Sequence, residues 1–150
     1  MELMVTVAMV SILAMASVPS FMGLIQSRQV SSTTTELISY LSLARQEAIG
    51  RNHSIALQGL NADDADSLEW NAGFQVAIDA NNDNAFDADG EVILISEPKN
   101  SVKITSNQGQ AGFKFLASGL SSSNDEVTFT VCAGTGGASG KLVTVLKSGQ

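Results

Sequence analysis

The densest group of oxygen side chains runs from Asp79 to Glu91, as Asp79-Ala80-Asn81-Asn82-Asp83-Asn84-Ala85-Phe86-Asp87-Ala88-Asp89-Gly90-Glu91. Oxygens at alternate positions are what a calcium loop offers, because a hard cation collects six to eight of them. Asp79, Asn81, Asp83 and Asp87 are the ligands such a site would use. The match to an EF-hand fails where it matters: Asn84 stands where the sharp turn needs glycine, and Gly90 stands where a bidentate glutamate closes the shell. Flanking strands rather than helices favour a solvated Asn/Asp-rich hairpin turn, with calcium as the alternative and no other cofactor implied.

The other groups with chemical potential are sparser. Gly134-Thr135-Gly136-Gly137-Ala138-Ser139-Gly140-Lys141 has the glycine content of a phosphate loop, but Thr135 replaces the first required glycine and Leu142 the Ser or Thr. A strand, not a helix, is expected to follow, so the segment reads as a hairpin connection. His53 is the only histidine, and no motif sets a serine or cysteine nucleophile beside it, which argues against a catalytic triad, a histidine-rich metal site and an enzyme of either kind. Cys132 is the only cysteine, so the chain holds no internal disulfide; its place in an alternating run is read as a buried apolar position.

What must position these residues is dominated by the start of the chain. From Leu3 to Ser27 there is no charge, and apolar residues surround the run without a polar stripe. At about 1.5 Å per residue this length can cross a hydrocarbon core of about 30 Å as one helix. Thr6, Ser11, Ser17, Ser20 and Gly23 are small enough to sit against neighbouring helices. Glu2, at the mouth of the run, must stay at the interface or find a cation. Pro19 removes a backbone hydrogen bond and is expected to kink or locally melt the helix. A cleaved secretory signal would show a basic first segment and a shorter apolar core, neither of which is present.

Beyond Ser27 the helix is expected to continue into water. Val30, Thr34, Leu37, Leu41, Ala44 and Ala48 recur at steps of four and three, one face of a helix, while Arg28, Glu36, Gln46 and Glu47 point elsewhere. Gly50, with Arg51 beside it, is the expected stop, giving a helix of roughly 70 Å. Seven short runs follow, at 54–60, 73–79, 91–96, 102–106, 113–116, 127–132 and 142–146. They are rich in Val, Ile, Phe and Thr and separated by Gly, Asn, Asp and Ser clusters. The fold class is therefore α+β: a long N-terminal helix, membrane-spanning in its first half, packed by its second half on one face of an antiparallel sheet or small sandwich. The domains are 1–27 as the membrane segment, 28–52 as its amphipathic continuation and 53–150 as a β domain.

Three segments carry a family resemblance. Met1-Glu2-Leu3-Met4-Val5-Thr6-Val7-Ala8 with Val18-Pro19-Ser20-Phe21 resembles the N-terminal helix of type IV pilins and pseudopilins. Leu41-Ser42-Leu43-Ala44-Arg45-Gln46-Glu47-Ala48-Ile49-Gly50-Arg51-Asn52 and Trp70-Asn71-Ala72-Gly73-Phe74-Gln75-Val76-Ala77-Ile78-Asp79, followed after the acidic turn by Glu91-Val92-Ile93-Leu94, resemble the FimT/GspH type of minor pilin and pseudopilin. The resemblance implies a basic leader, a glycine and a phenylalanine preceding Glu2, so that the chain as given starts late. It implies a non-catalytic minor pilin of a type IV pilus, held in the inner membrane as a single pass with a periplasmic domain and later drawn into a fibre. Its partners would be other pilins through the helix and the inner-membrane assembly platform, with Glu2 paired to the positive N-terminus of a neighbouring subunit.

The alternatives are a type II secretion pseudopilin, a DNA-uptake minor pilin, and a tethered periplasmic calcium-binding module. Some FimT-like relatives are thought to bind DNA through basic C-terminal residues; here the tail offers only Lys141 and Lys147. With 8 basic and 15 acidic residues the net charge is −7, and between Arg51 and Lys99 there are ten acids and no base. Two lysines neutralise few phosphates, so DNA is not expected as a partner, and the global charge disfavours anionic lipid as a general one.

Overall fold

The computed structural model describes residues 2–60, 70, 72–79, 91–99, 101–107, 113–123, 125–134 and 140–150; within the helix, the side chains of residues 2 and 14–20 are not described. One helix, α1 (Glu2–Arg51), is followed by seven strands: β1 (Ile55–Gly59), β2 (Phe74–Ile78), β3 (Val92–Ile95), β4 (Val102–Ser106), β5 (Phe113–Phe115), β6 (Val127–Ala133) and β7 (Gly140–Val145). Fifty helical residues at about 1.5 Å each make a rod of about 75 Å. It continues through residue 19 without a break, so the missing N–H there does not melt it. Nor does Gly50 end it. The helix runs through Arg51, and Asn52, at φ 55°, takes the left-handed cap that asparagine tolerates better than other side chains with a Cβ.

Val30, Thr34, Leu37, Leu41, Ala44 and Ala48 are all buried, as their spacing predicts. Small residues at 44 and 48 bring the rod close to the strands. Hydroxyls on the helix satisfy themselves: Thr34 Oγ1 donates to the Val30 carbonyl at 2.6 Å, so a buried threonine costs no orphaned polar group. The strands form two antiparallel sheets rather than one, ordered β3-β2-β1-β5 and β4-β6-β7. The helix packs on β1 and β5 of the first and on all three strands of the second, so it bridges both sheets instead of covering one face. Sequence runs show strands but not their partners, which is why a single sheet and a small sandwich both stay open on sequence alone.

Trp70 ties the two sheets together. Fully buried, its ring lies edge-on to Phe129 of β6 at 5.1 Å and tilted to Phe74 of β2 at 6.3 Å. The Trp70 backbone N–H donates to the Ile104 carbonyl of β4 at 2.8 Å. Gly59 of β1 lies against the indole, where a Cβ would be in ordinary contact with the ring at 3.4 Å. In β6 inward and outward residues alternate, with Val127, Phe129, Val131 and Ala133 buried. Cys132 falls on the opposite parity and is only half-buried, which corrects the expectation of a core position.

Candidate functional site

Two surfaces stand out, the bare shaft of α1 and the polar contacts that fix the domain to it. Along the shaft Leu3, Met4, Val7, Val10, Leu13, Phe21, Leu24 and Ile25 are exposed, Leu3 and Met4 to nearly 80% of their surface. Burial against the chain's own domain begins only at Val30. Thr6 and Ser11 donate to the carbonyls of Leu3 and Val7 at 2.9 and 2.8 Å, so the described polar side chains of this stretch bring no unsatisfied hydroxyl to an apolar environment. Among the described residues no helix is long and apolar enough to cross a membrane; residues 14–20, whose side chains are not described, interrupt the run. Glu2 and Pro19 lie in α1, but their side chains belong to those not described.

Above the shaft, charged groups hold the domain in place. Lys99 Nζ is 2.8 Å from Glu36 Oε2, and Ser96 Oγ donates to Glu36 Oε1 at 3.3 Å. One turn further on, the Tyr40 hydroxyl reaches the Ile95 carbonyl at 3.5 Å, and its ring meets Phe74 edge-on at 4.9 Å. Burial pushes the Tyr40 phenol above its ordinary value, and the charges of Glu36 and Glu97 add to that while Lys99 opposes it. Near the top, Arg45 donates to the carbonyls of Gly119 and Ser148 at 3.1 and 3.3 Å. That clamp sits where Gly149, at φ 76°, lets two turns touch: a Cβ on it would lie 2.2 Å from the Gly119 oxygen. Arg51 bonds Glu47 at 2.6 Å and Glu91 at 3.3 Å, hydrogen bonds that raise its affinity for the proton further. Between the helix and β7 lies an apolar groove of about 570 Å³, lined in part by Ile38, Leu41, Phe115, Val143 and Val145.

The residues singled out by chemistry are not gathered at one place. Asp79 closes β2 and is fully buried; its Oδ2 accepts from Lys114 Nζ of β5 at 2.8 Å. Among the described residues its Oδ1 has no hydrogen-bond partner. Asn81, Asp83 and Asp87 lie outside the described residues, and among those described no three His, Cys, Asp or Glu side chains are grouped to hold a metal. Lys141 and Lys147 stand near opposite ends of β7, about 20 Å apart at the rise of a strand. Lys141 Nζ donates to Ser31 Oγ at 2.9 Å. They do not form one basic patch. Gly140 and Lys141 begin a strand, which removes the phosphate-loop geometry, and His53 is an exposed residue just past the helix. Sequence reasoning missed Lys114, Arg45 and the Glu36–Lys99 pair. Their partners lie 35 to 103 residues away along the chain, beyond the reach of any local pattern.

A half-bare helix carrying a two-sheet β domain on its other half defines a pilin-like subunit. The family model described as type II transport protein GspH matches residues 33–149. The chain belongs to that family. Two crystal structures of the type IV minor pilin FimU of Pseudomonas aeruginosa share the fold. One, in space group P21, has a TM-score of 0.64 at 19% identity and covers 82% of this chain and 86% of that one. The other, in space group P65, has a TM-score of 0.59 at 20% identity and covers 80% of this chain and 88% of that one. The comparison with curated proteins gives no match.

Proposed function

We propose that this chain is a minor pilin that takes part in assembling a type IV pilus, anchored as a single pass in the bacterial inner membrane with its β domain in the periplasm. The observation that carries this is the division of α1: apolar and exposed from Leu3 to Ile25 wherever its side chains are described, buried against its own domain from Val30. Exposed apolar surface of that extent needs lipid or other helices around it. A subunit moving from bilayer to fibre core exchanges one for the other without altering its fold. The work is assembly by helix packing with other pilins, driven by the inner-membrane platform, and no catalytic step is assigned. Glu2 pairs with the positive N-terminus of a neighbouring subunit.

The test is Glu2→Ala in the organism that encodes the chain. The variant is expected to fractionate with inner membrane as the wild type does and to be depleted from sheared fibres; normal incorporation refutes the role of Glu2. The family model's type II transport description favours a second reading, a minor pseudopilin of a secretion system. Deleting the gene separates the two: loss of surface pili supports the first reading, and loss of protein secretion with pili intact supports the second.

A further inference from the structure

The net charge of −7 hides a polarity along the domain. Four of the eight basic residues stand at the end from which the bare helix emerges. Arg28 is exposed on the helix one residue past the uncharged run. Lys141, at the start of β7, bonds Ser31. Lys103 lies exposed near the start of β4, paired through Cys132 with Gly140, so it shares the same end of the second sheet. Lys99 meets Glu36 two turns above Arg28. The described acids on this side are Glu36, bonded to Lys99, and Glu97. At the opposite end Glu47, Glu91, Asp125 and Glu126 are interspersed with Arg45, Arg51 and Lys147.

The level of these cations along the helix decides what they meet. If the uncharged run ends at the edge of the hydrocarbon, residues 28–31 occupy the next ~6 Å, which is the thickness of a headgroup layer. Lys141, bonded to Ser31, is held at that level by the fold although it lies 110 residues away in sequence. Lys103, on a long flexible stem, can reach down to the same layer. We propose that the Arg28, Lys103 and Lys141 collar seats the domain on the phosphates of anionic phospholipids in the leaflet it faces. This rests on the membrane reading above. Leaving the bilayer for a fibre means giving up these headgroup contacts.

The experiment uses the full chain in nanodiscs of phosphatidylcholine, or of phosphatidylcholine with one third phosphatidylglycerol, with insertion read by co-elution. Amine acylation followed by mass spectrometry gives the rates at Lys103 and Lys141 relative to Lys147 at the far end. In anionic discs the relative rates are expected to fall about five-fold, since each lysine near such a surface gains attraction of that order. The fall should collapse at about 0.5 M salt, where charge is screened within a few ångströms, and the Lys141→Glu variant should lessen the protection of Lys103. Equal relative rates in the two discs overturn the collar while leaving membrane insertion standing. Protection that ignores lipid charge but grows with the number of chains per disc assigns the collar to acids of a second copy and likewise overturns it. Failure to co-elute with either disc overturns the membrane reading and this inference with it.

Discussion

Lys114 and Asp79 offer a sharp quantitative test of the packing. Their side chains are 6% and 0% exposed with 2.8 Å between Nζ and Oδ2. At that distance and an effective dielectric constant of about 20 the attraction is about 6 kcal/mol. Desolvating the two ions costs several kcal/mol each, so the pair as a whole contributes little net stability. Removing one partner is different. Lys114→Met keeps the aliphatic stem but strands a buried carboxylate whose Oδ1 already has no hydrogen-bond partner among the described residues. The expected loss is about 3–5 kcal/mol, which for a domain of this size lowers Tm by roughly 10–20 °C. Adding Asp79→Val removes the stranded charge at modest change of volume and should return stability to within about 1.5 kcal/mol of the wild type. The assay is thermal unfolding of the full chain in detergent micelles, followed by near-ultraviolet circular dichroism and the fluorescence of Trp70, the only tryptophan. A Tm change of only a few degrees for Lys114→Met refutes the buried pair. A double variant no better than the single refutes the account of its cost as a stranded charge.

Three further outcomes follow from the same geometry. Tyr40 is the only tyrosine, and its phenol is held above the ordinary value of 10.0 by burial first and by Glu36 next, so its absorbance should titrate above pH 10 in the folded chain and Glu36→Gln should move it down. Because the raised group favours the neutral form on folding, its contribution is complete below pH 10 and is lost as pH rises through the folded-state value; urea unfolding across that range measures it. Trp70→Ala empties the junction of the two sheets and should cost about 3–5 kcal/mol, read by the midpoint of urea unfolding with the slope unchanged. With Asp79 held by Lys114, millimolar calcium is expected to leave Tm where it is; a saturable rise abolished by Asp83→Asn would instead make the acidic turn a cation site.

Much of this fold could be read from periodicity, and where the reading failed the physics is identifiable. The buried face of α1 was legible because a four-three step is a local property of one helix, and Val30 through Ala48 obey it. Each strand was legible to within two residues because Val, Ile, Phe and Thr cluster between turn formers. The division into two sheets was not, since pairing is a long-range choice and nothing near Val92 or Val102 says that one joins β2 and the other β6. Cys132 shows the limit of alternation read without a partner. The run Val-Thr-Phe-Thr-Val-Cys-Ala alternates correctly, but which parity faces inward is fixed by Phe129 and Val131, and cysteine falls on the other side. Lys114 shows the converse. Between two phenylalanines it reads as the solvent-facing member of a strand, and only Asp79, 35 residues earlier, makes its burial tolerable. For the candidate site, the bare shaft was legible as an uncharged run, whereas the contacts that lock the domain to it were not.

Those contacts bear on the proposed passage of the helix from membrane to fibre. The shaft needs no help from the domain to remain helical: its backbone bonds are internal, Thr6 and Ser11 satisfy their hydroxyls on it, and no described side chain below Gln26 is buried by the domain. The domain, in turn, is attached above that level by groups that lie off the bare shaft: the Val30 to Ala48 face, Glu36 with Lys99, and Arg45 across two turns. A rod continuous from Glu2 to Arg51 therefore carries a pull on the shaft into the domain without a hinge, because no break or loop separates the two. Inserting a short flexible Gly-Ser segment after Ser27 should leave membrane fractionation and the domain's Tm unchanged while reducing incorporation into fibres. Full incorporation of that variant would show that the continuity of α1 is not what couples anchoring to assembly.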